Sequence, residues 1–149
     1  MAQNTKIQWA QHSLNLWWGC TKVHAGCDNC YAEATAKRWG QDVWGINASR
    51  RIITSSFKDL DKFQINAQKA NEKHRVFVGS MMDIFEKSMP LVDLFGNPIE
   101  NMTTGAIRTA LFSRISLNHY PNLIFLFLTK RPSNINKMIS HQFLLDLPL

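Results

Sequence analysis

The sequence predicts an α/β protein built on a parallel β-sheet. Two short apolar stretches, 75–80 and 123–129, have the composition of strands. The second is apolar from residue 123 to 128, which is typical of parallel strands that are buried on both faces. The segments around them carry apolar residues at helical spacing. The predicted order is strand, helix, helix, strand, helix, strand, helix, and such alternation indicates parallel βα units.

The first half of the chain contains one predicted strand and two predicted helices. A short strand over 14–18 leads into a loop that holds the cysteines. Asp28 or Asn29 is predicted to cap a helix from about residue 30 to 39, which ends at Gly40. Residues 40–55 are predicted to be irregular, and Ser56 begins a helix that runs to about residue 73.

The second half is predicted to contain a long connection between its strands. Residues 81–101 are interrupted by Pro90, Gly96 and Pro98, and 93–98 has a turn-like composition. A helix after residue 103 or 104 is predicted to end before residue 121, ahead of the buried strand over 123–129. A last helix begins at 132–133, and its apolar face consists of Ile135, Met138, Ile139 and Phe143.

Length and composition favour one domain over residues 1–149, with a core of ordinary size. The longest apolar run, 123–128, is too short to cross a bilayer. The first residues lack the apolar core of a signal peptide, so we expect a soluble cytoplasmic protein that does not contact membranes. The net charge of +6 suits a nucleic-acid partner, but basic residues that merely solvate helix faces explain it equally well.

All three cysteines of the chain lie within eleven positions. Cys20, Cys27 and Cys30 have the spacing C-x6-C-x2-C in a polar, glycine-containing loop, whereas cysteines used for packing are usually dispersed through the core. A C-x2-C pair brings two sulfurs to one metal centre. A disulfide would leave one thiol over. The motif therefore predicts a metal or cluster site.

Three thiol ligands leave the nature of that site open. His24 could complete a Cys3His zinc site, because structural zinc usually takes four ligands. Alternatively, the three thiolates could hold three irons of a [4Fe–4S] cluster and leave the fourth iron open to a small molecule. Unligated cysteines are the remaining interpretation.

The polar residues at the strand ends predict where this site lies. In parallel α/β folds, chemistry gathers at the carboxyl ends of the strands. The cysteine loop, residues 79–83 and residues 129–131 all occupy such positions. We therefore expect these three segments to share one face of the sheet.

The segments that carry chemistry also resemble a known family in combination. They are GCTKV (19–23), GCDNCYAE (26–33), WG (44–45), RR (50–51), VFVGSMMDIF (76–85) and LFLTKRP (126–132). Together they look like a phage-associated three-cysteine family of unknown function, which is similar to radical S-adenosylmethionine enzymes. The resemblance covers roughly residues 7–139.

This resemblance implies a fold and a cofactor. The fold is a partial (β/α) barrel, in which Cys20, Cys27 and Cys30 ligate a [4Fe–4S] cluster whose open iron binds S-adenosylmethionine. In such enzymes a donor such as flavodoxin or ferredoxin reduces the cluster, and cleavage of S-adenosylmethionine then generates a 5′-deoxyadenosyl radical. The radical abstracts hydrogen from a substrate, which the resemblance does not identify. The first cysteine gap departs from the usual three residues, since it has six.

The resemblance also implies cofactor-binding residues. Gly79 and Ser80 would lie against the methionyl part of the cofactor, because a strand-end glycine permits close approach of the backbone. Asp83 would accept a hydrogen bond from a ribose or from the substrate. A plain strand terminus and a turn cap are the alternatives for these positions.

Four cations are candidate substrate-binding residues. They are Arg50, Arg51, Lys130 and Arg131. Each could hold a carboxylate or phosphate, and solvated surface charge is the alternative.

Members of the family continue through further strands, so the chain is expected to be the N-terminal half of the family's domain, apparently truncated. An open parallel sheet with an uncovered strand is prone to aggregate, and a partner protein or further segment is therefore expected to complete the barrel. Two other functions remain open, namely a zinc-stabilised nucleic-acid-binding module and an inactive, truncated interaction domain.

Overall fold

The computed structural model of the chain describes residues 6–139. The strands are β1 (His12–Leu14), β2 (Trp17–Trp18), β3 (Arg50–Ile52), β4 (His74–Val78), β5 (Pro90–Val92), β6 (Pro98–Thr103) and β7 (Leu123–Phe127). The helices are α1 (Tyr31–Arg38), α2 (Ser56–Ala70), α3 (Thr104–Ser116) and α4 (Pro132–Met138). Phe143, predicted on the last helix, lies outside the described residues.

A parallel sheet of three strands confirms the predicted α/β class. Its order is β1-β4-β7, and both pairs are parallel. The elements around it follow the predicted alternation, with α1 and α2 between β1 and β4, α3 between β4 and β7, and α4 after β7. Within residues 6–139 the sheet does not close into a barrel.

One apolar cluster joins the parallel sheet to α2 and α3, while α1 packs through Ala32 and Ala36 in a second, smaller cluster. Leu14 of β1 and Val76 of β4 are fully buried, and they belong to the same apolar cluster as Leu60 of α2 and Leu111 of α3. Phe63 and Ala67 of α2 are also buried in this cluster, so α2 presents an apolar face to the core. Burial of this face supplies most of the stability of such a helix.

A second, mixed sheet was not predicted. Its order is β2-β3-β5-β6, with only the β3–β5 pair parallel. The single strand expected over 14–18 is wrong, because the chain leaves the parallel sheet after Leu14 and enters the second sheet at Trp17. Asn15 anchors the crossing, since its side chain accepts a hydrogen bond from the Met81 backbone at 2.8 Å and donates one to Ser80 Oγ at 2.7 Å.

The other strands of this sheet correct two further predictions. Residues 40–55, expected to be irregular, contain β3, and the connection expected over 81–101 contains β5 and most of β6. The prolines that suggested a break, Pro90 and Pro98, are the first residues of β5 and β6, where a missing N–H is tolerated. The turn predicted at 93–98 is confirmed, and Asp93 accepts hydrogen bonds from the backbone of Phe95 and Asn97.

The helix boundaries agree with the predictions to within a few residues, but one cap does not. Cys30 is itself the N-cap of α1, so neither Asp28 nor Asn29 has that role. Helix α2 stops at Ala70, three residues earlier than expected, because Asn71 adopts a left-handed conformation with φ of 52°.

Strand β7 was expected to be buried on both faces, and this expectation is wrong. It is an edge strand among the described residues, paired only with β4. Ile124 is 44% exposed and Leu128, just beyond the strand, is 60% exposed. Strand β7 is therefore more exposed than its apolar composition predicts. That a partner completes the sheet stays a prediction.

No helix among residues 6–139 is both long and apolar enough to span a bilayer.

A pair of histidines, of which His12 is buried and His74 is partly exposed, lies at the start of the parallel sheet. His12 of β1 is 1% exposed, its Nε2 lies 3.0 Å from Nδ1 of His74 in β4, and its ring stacks on Phe63. His74 in turn lies 3.4 Å from Glu72. Burial, and then the neighbouring His74, lower the pKa of His12 from 6.5 to about 4.

We expect acid to destabilise the protein through His12. Between pH 6.5 and about 4 the unfolded chain binds a proton at this side chain that the folded chain does not, so stability is retained above pH 6.5 and falls as the pH drops. The loss approaches about 3 kcal/mol. Urea unfolding at several pH values should show a flatter pH profile for His12→Gln than for the wild type, whereas the exposed-residue control His24→Gln should keep the wild-type slope. An unchanged slope in His12→Gln would contradict the assignment.

Candidate metal centre

The three segments predicted to meet do line one cavity, of about 220 Å³. Its wall includes all three cysteines from the loop after β2, residues 79–80 and 82–83 after β4, and residues 128–131 after β7. Isolated bridges join the cysteine loop to the segment after β4, from Gly19 to Met82, and to the segment before β3, from Cys20 to Trp44. The cavity therefore lies at the carboxyl ends of β4 and β7, as expected for a parallel α/β fold.

The cysteine loop is ordered by local hydrogen bonds. A single turn of 3₁₀ helix, Ala25–Cys27, is capped by His24, whose Nδ1 accepts a hydrogen bond from the Gly26 backbone at 3.0 Å. Cys30 then precedes α1 in an extended conformation. His24 is not part of the cavity wall, and its Nδ1 is already engaged within the loop.

The first two thiols experience opposite electrostatic environments. Burial, and then the charge of Glu86, raise the pKa of Cys20, although Arg131 opposes this change. Burial would also raise the pKa of Cys27, but backbone hydrogen bonds and the cations Lys130 and Arg131 outweigh it, so the pKa of Cys27 is lowered. A metal would take the place of a proton at both sulfurs.

Arg131 lies behind Cys20 and joins it to two carboxylates. Its Nη1 donates to Cys20 Sγ at 3.3 Å and to Asp83 Oδ2 at 2.9 Å. Its Nη2 donates to the Thr21 carbonyl at 2.5 Å and lies 3.6 Å from Glu86 Oε1. The side chain is 8% exposed, so Arg131 holds Cys20 while it is largely shielded from solvent.

Asp83 organises the loop after β7. Its carboxylate accepts hydrogen bonds from the hydroxyl of Thr129, from the backbone of Lys130 and Phe85, and from Arg131. Asp83 is 5% exposed. It lines the cavity as expected, but its oxygens are engaged by protein donors, which favours a structural role over contact with a ribose or substrate.

Arg50 lies outside the cavity wall and contacts Thr21, which lines the cavity. It is fully buried and pairs with Glu86 through Nε at 2.9 Å and Nη2 at 2.7 Å. Its other hydrogen bonds go to Thr21 Oγ1 at 2.8 Å and to backbone carbonyls of the segment before β3, at residues 43, 45 and 48. These contacts favour a structural role for Arg50, and its contact with substrate stays a prediction.

The other two candidate cations also have partners in the protein. Arg51 lies outside the cavity wall, and its guanidinium stacks over Trp18 at 4.4 Å. Lys130 lines the cavity, and its Nζ donates to the Gly26 carbonyl in the cysteine loop. Lys130 therefore links the end of β7 to the loop between the first and second cysteines.

Gly79 and Ser80, which the resemblance assigns to the cofactor, directly follow β4. Gly79 has φ of +105°, and a Cβ there would lie 3.0 Å from the Met82 carbonyl oxygen, so the strand end requires glycine. Ser80 Oγ accepts a hydrogen bond from Asn15. Both residues line the cavity.

Sequence reasoning missed two residues that shape this site, Asn15 and Glu86. It also assigned no role of their own to Thr21, Trp44 and Thr129, although they lie in segments that it identified. The partners of Asn15 and Glu86 lie far away in sequence, so short-range spacing does not reveal them. The pair Arg50–Glu86, for example, joins residues 36 apart.

The three cysteines line one cavity, and the two kinds of metal centre place different demands on them. Four ligands at the usual zinc–sulfur distance of about 2.3 Å would lie roughly 3.8 Å apart. Among residues 6–139 no three His, Cys, Asp or Glu side chains form a group that could hold one metal ion. A cluster binds each thiolate through a different iron, so it accepts three sulfurs spread around one cavity, which is what Cys20, Cys27 and Cys30 provide.

Comparison with known proteins identifies the family of the chain and assigns it no function. No curated protein and no solved structure matches the chain. A family model described as "Protein of unknown function (DUF5131)" matches residues 4–145, which is nearly the whole sequence. The chain therefore belongs to this family of unknown function.

Proposed function

We propose that this chain is an iron–sulfur protein similar to radical S-adenosylmethionine enzymes, with one [4Fe–4S] cluster held by Cys20, Cys27 and Cys30. The observation that supports it most is that these cysteines, separated by up to ten positions, line a single cavity together with the ends of β4 and β7. A thiol triplet leaves one iron free for a further ligand. The substrate remains open.

The chain's own residues would bind and orient the two groups. The three thiolates would hold the cluster, and Lys130 fixes the cysteine loop through the Gly26 carbonyl. Gly79 and Ser80 would meet the methionyl part of the cofactor, where a side chain at residue 79 has no space. When bound, the cluster would supply one electron for reductive cleavage of S-adenosylmethionine to methionine and a 5′-deoxyadenosyl radical, as implied by the resemblance, with flavodoxin or ferredoxin as the electron donor.

Iron uptake tests the cluster directly. Anaerobic reconstitution should give about four irons per chain, and Cys20→Ala, Cys27→Ala and Cys30→Ala should each lose most of the iron and of the cluster absorbance. His24→Ala is the matched control, because it changes the same loop outside the cavity wall, and it should keep the iron of the wild type. Stoichiometric zinc without iron uptake would overturn the cluster.

Cofactor cleavage tests the enzymatic part separately. Reconstituted protein reduced with dithionite should convert S-adenosylmethionine to 5′-deoxyadenosine and methionine. A stable cluster without this product would leave an iron–sulfur protein and remove the proposed radical chemistry.

The zinc-stabilised nucleic-acid-binding module gains no comparable support. Its fourth ligand would be His24, which is engaged with the Gly26 backbone and lies outside the cavity wall. The His24→Ala control therefore separates the two interpretations, because a Cys3His site would lose its metal in that variant.

A further inference from the structure

We propose that Arg131 is a positioning residue for Cys20 that raises the reduction potential of the cluster through its hydrogen bond to the sulfur. This inference rests on the proposed function. It assigns Arg131 to the support of the cluster, in place of the substrate contact expected from its position at a strand end.

The contacts of Arg131 leave it little freedom to bind a substrate. Its side chain is 8% exposed, and both terminal nitrogens donate to protein groups, namely Cys20 Sγ, Asp83 and the Thr21 carbonyl. Two buried carboxylates, those of Asp83 and Glu86, hold the fork in one orientation. The planar fork can reach these groups at once, which a lysine ammonium cannot do.

The three sulfurs are not equivalent in this respect. Of the three cysteine sulfurs, all within residues 6–139, Cys20 Sγ accepts a hydrogen bond from a charged side chain, and the described contacts include no such bond to Cys27 or Cys30. A donor to a ligating thiolate withdraws negative charge from the cluster and favours its reduced, more negative state. Removing that donor should therefore make one-electron reduction harder.

The surrounding charges allow the hydrogen bond to be separated from the net charge. Arg50 and Arg131 are balanced by Asp83 and Glu86. The double variant Arg131→Met/Asp83→Asn removes one charge of each sign, so the net charge stays constant while the hydrogen bond to Cys20 is lost. The Asp83→Asn change keeps one side-chain oxygen at this position, which can still accept the hydrogen bonds from Thr129 and the Lys130 backbone.

Lys130→Met provides the opposite control. It removes a cation from the cavity wall whose Nζ donates to the Gly26 carbonyl and not to a sulfur. This variant changes the net charge by one unit and leaves the donor to Cys20 in place.

The experiment is an anaerobic redox titration of each reconstituted protein, with dithionite as the one-electron reductant and electron paramagnetic resonance as the readout. We expect Arg131→Met/Asp83→Asn to keep about four irons and to lower the reduced-to-oxidised ratio at a fixed potential about tenfold, which is about 59 mV for one electron. Lys130→Met should shift the potential by less than half as much. If the double variant takes up fewer irons, Arg131→Lys provides the same measurement, with a smaller shift in the same direction.

The outcomes distinguish the two proposals. An unchanged potential in a fully loaded double variant, or in Arg131→Lys if that is the variant measured, would overturn the role of Arg131 and leave the cluster assignment intact. An equal or larger shift in Lys130→Met would also overturn it, because charge alone would then explain the effect. Failure of the wild type to take up iron would overturn the proposed function itself.

Discussion

Replacement of Arg50 by Met should lower the free energy of unfolding by about 3–5 kcal/mol, the usual result of breaking a buried ion pair. Arg50 is fully buried, and its loss leaves the Glu86 carboxylate with Arg131 as its remaining cationic partner, at 3.6 Å. The carbonyls of Val43 and Ala48 would also lose this donor, whereas the Gly45 carbonyl would keep the Ala48 N–H. The buried Val43 carbonyl would add its desolvation penalty to the effect.

Arg51→Met is the matched control for this prediction. The neighbouring guanidinium stacks over Trp18 and has no carboxylate partner among the described residues, so its loss should amount to about 1 kcal/mol. Urea denaturation with comparison of midpoints and slopes measures both values. A destabilisation of Arg50→Met no larger than that of Arg51→Met would contradict the structural role. Because Arg50 also holds Thr21 Oγ1, next to Cys20, iron uptake should fall in Arg50→Met and persist in Arg51→Met.

Gly19→Ala should destabilise the protein far more than the same change at Gly45. Both glycines have nearly the same φ, +121° and +118°, which L residues rarely adopt, so alanine should be strained at both positions, by about 1–3 kcal/mol. They differ in their surroundings. A Cβ at Gly19 would lie 2.3 Å from the Val43 carbonyl oxygen and 2.6 Å from Arg50 Cδ, whereas at Gly45 no atom lies within 4 Å.

The difference between these two variants isolates the steric clash. Overpacking of this kind usually costs a further 1–3 kcal/mol or so, and we expect Gly19→Ala to exceed Gly45→Ala by about that amount in urea denaturation. Since Gly19 directly precedes Cys20, its displacement should also reduce iron uptake. Equal stabilities for the two variants would show that the loop can relax without loss, contrary to the contacts described.

The parallel sheet was predictable because its signals are local. Composition over a few residues predicts the strands at 74–78 and 123–127, and apolar residues at helical spacing predict α2. The mixed sheet was not predictable in this way. Its strand Arg50–Ile52 begins with two arginines, and the reason that it forms a strand is pairing with β2 and β5, which are distant in sequence.

The candidate site shows the same division. The C-x6-C-x2-C spacing and the polar strand ends were sufficient to predict that the cysteine loop and residues 79–83 and 129–131 meet, because parallel strands present their carboxyl ends at one edge. The roles of Arg50 and Arg131 were beyond that reasoning. The sequence around an arginine does not reveal whether its side chain contacts solvent, a substrate or a buried carboxylate.

What the sequence by itself determined is the α/β class, the order of elements around the parallel sheet and the convergence of three segments on one cavity. These follow from composition and periodicity within each segment and from the shared direction of parallel strands. Only the tertiary structure decided that β7 lies at an edge, that a second sheet exists and that Arg131 donates to Cys20. Burial and hydrogen-bond partners are properties of residues that are brought together from distant parts of the chain, here 111 positions apart for Arg131 and Cys20, and short-range patterns do not encode them.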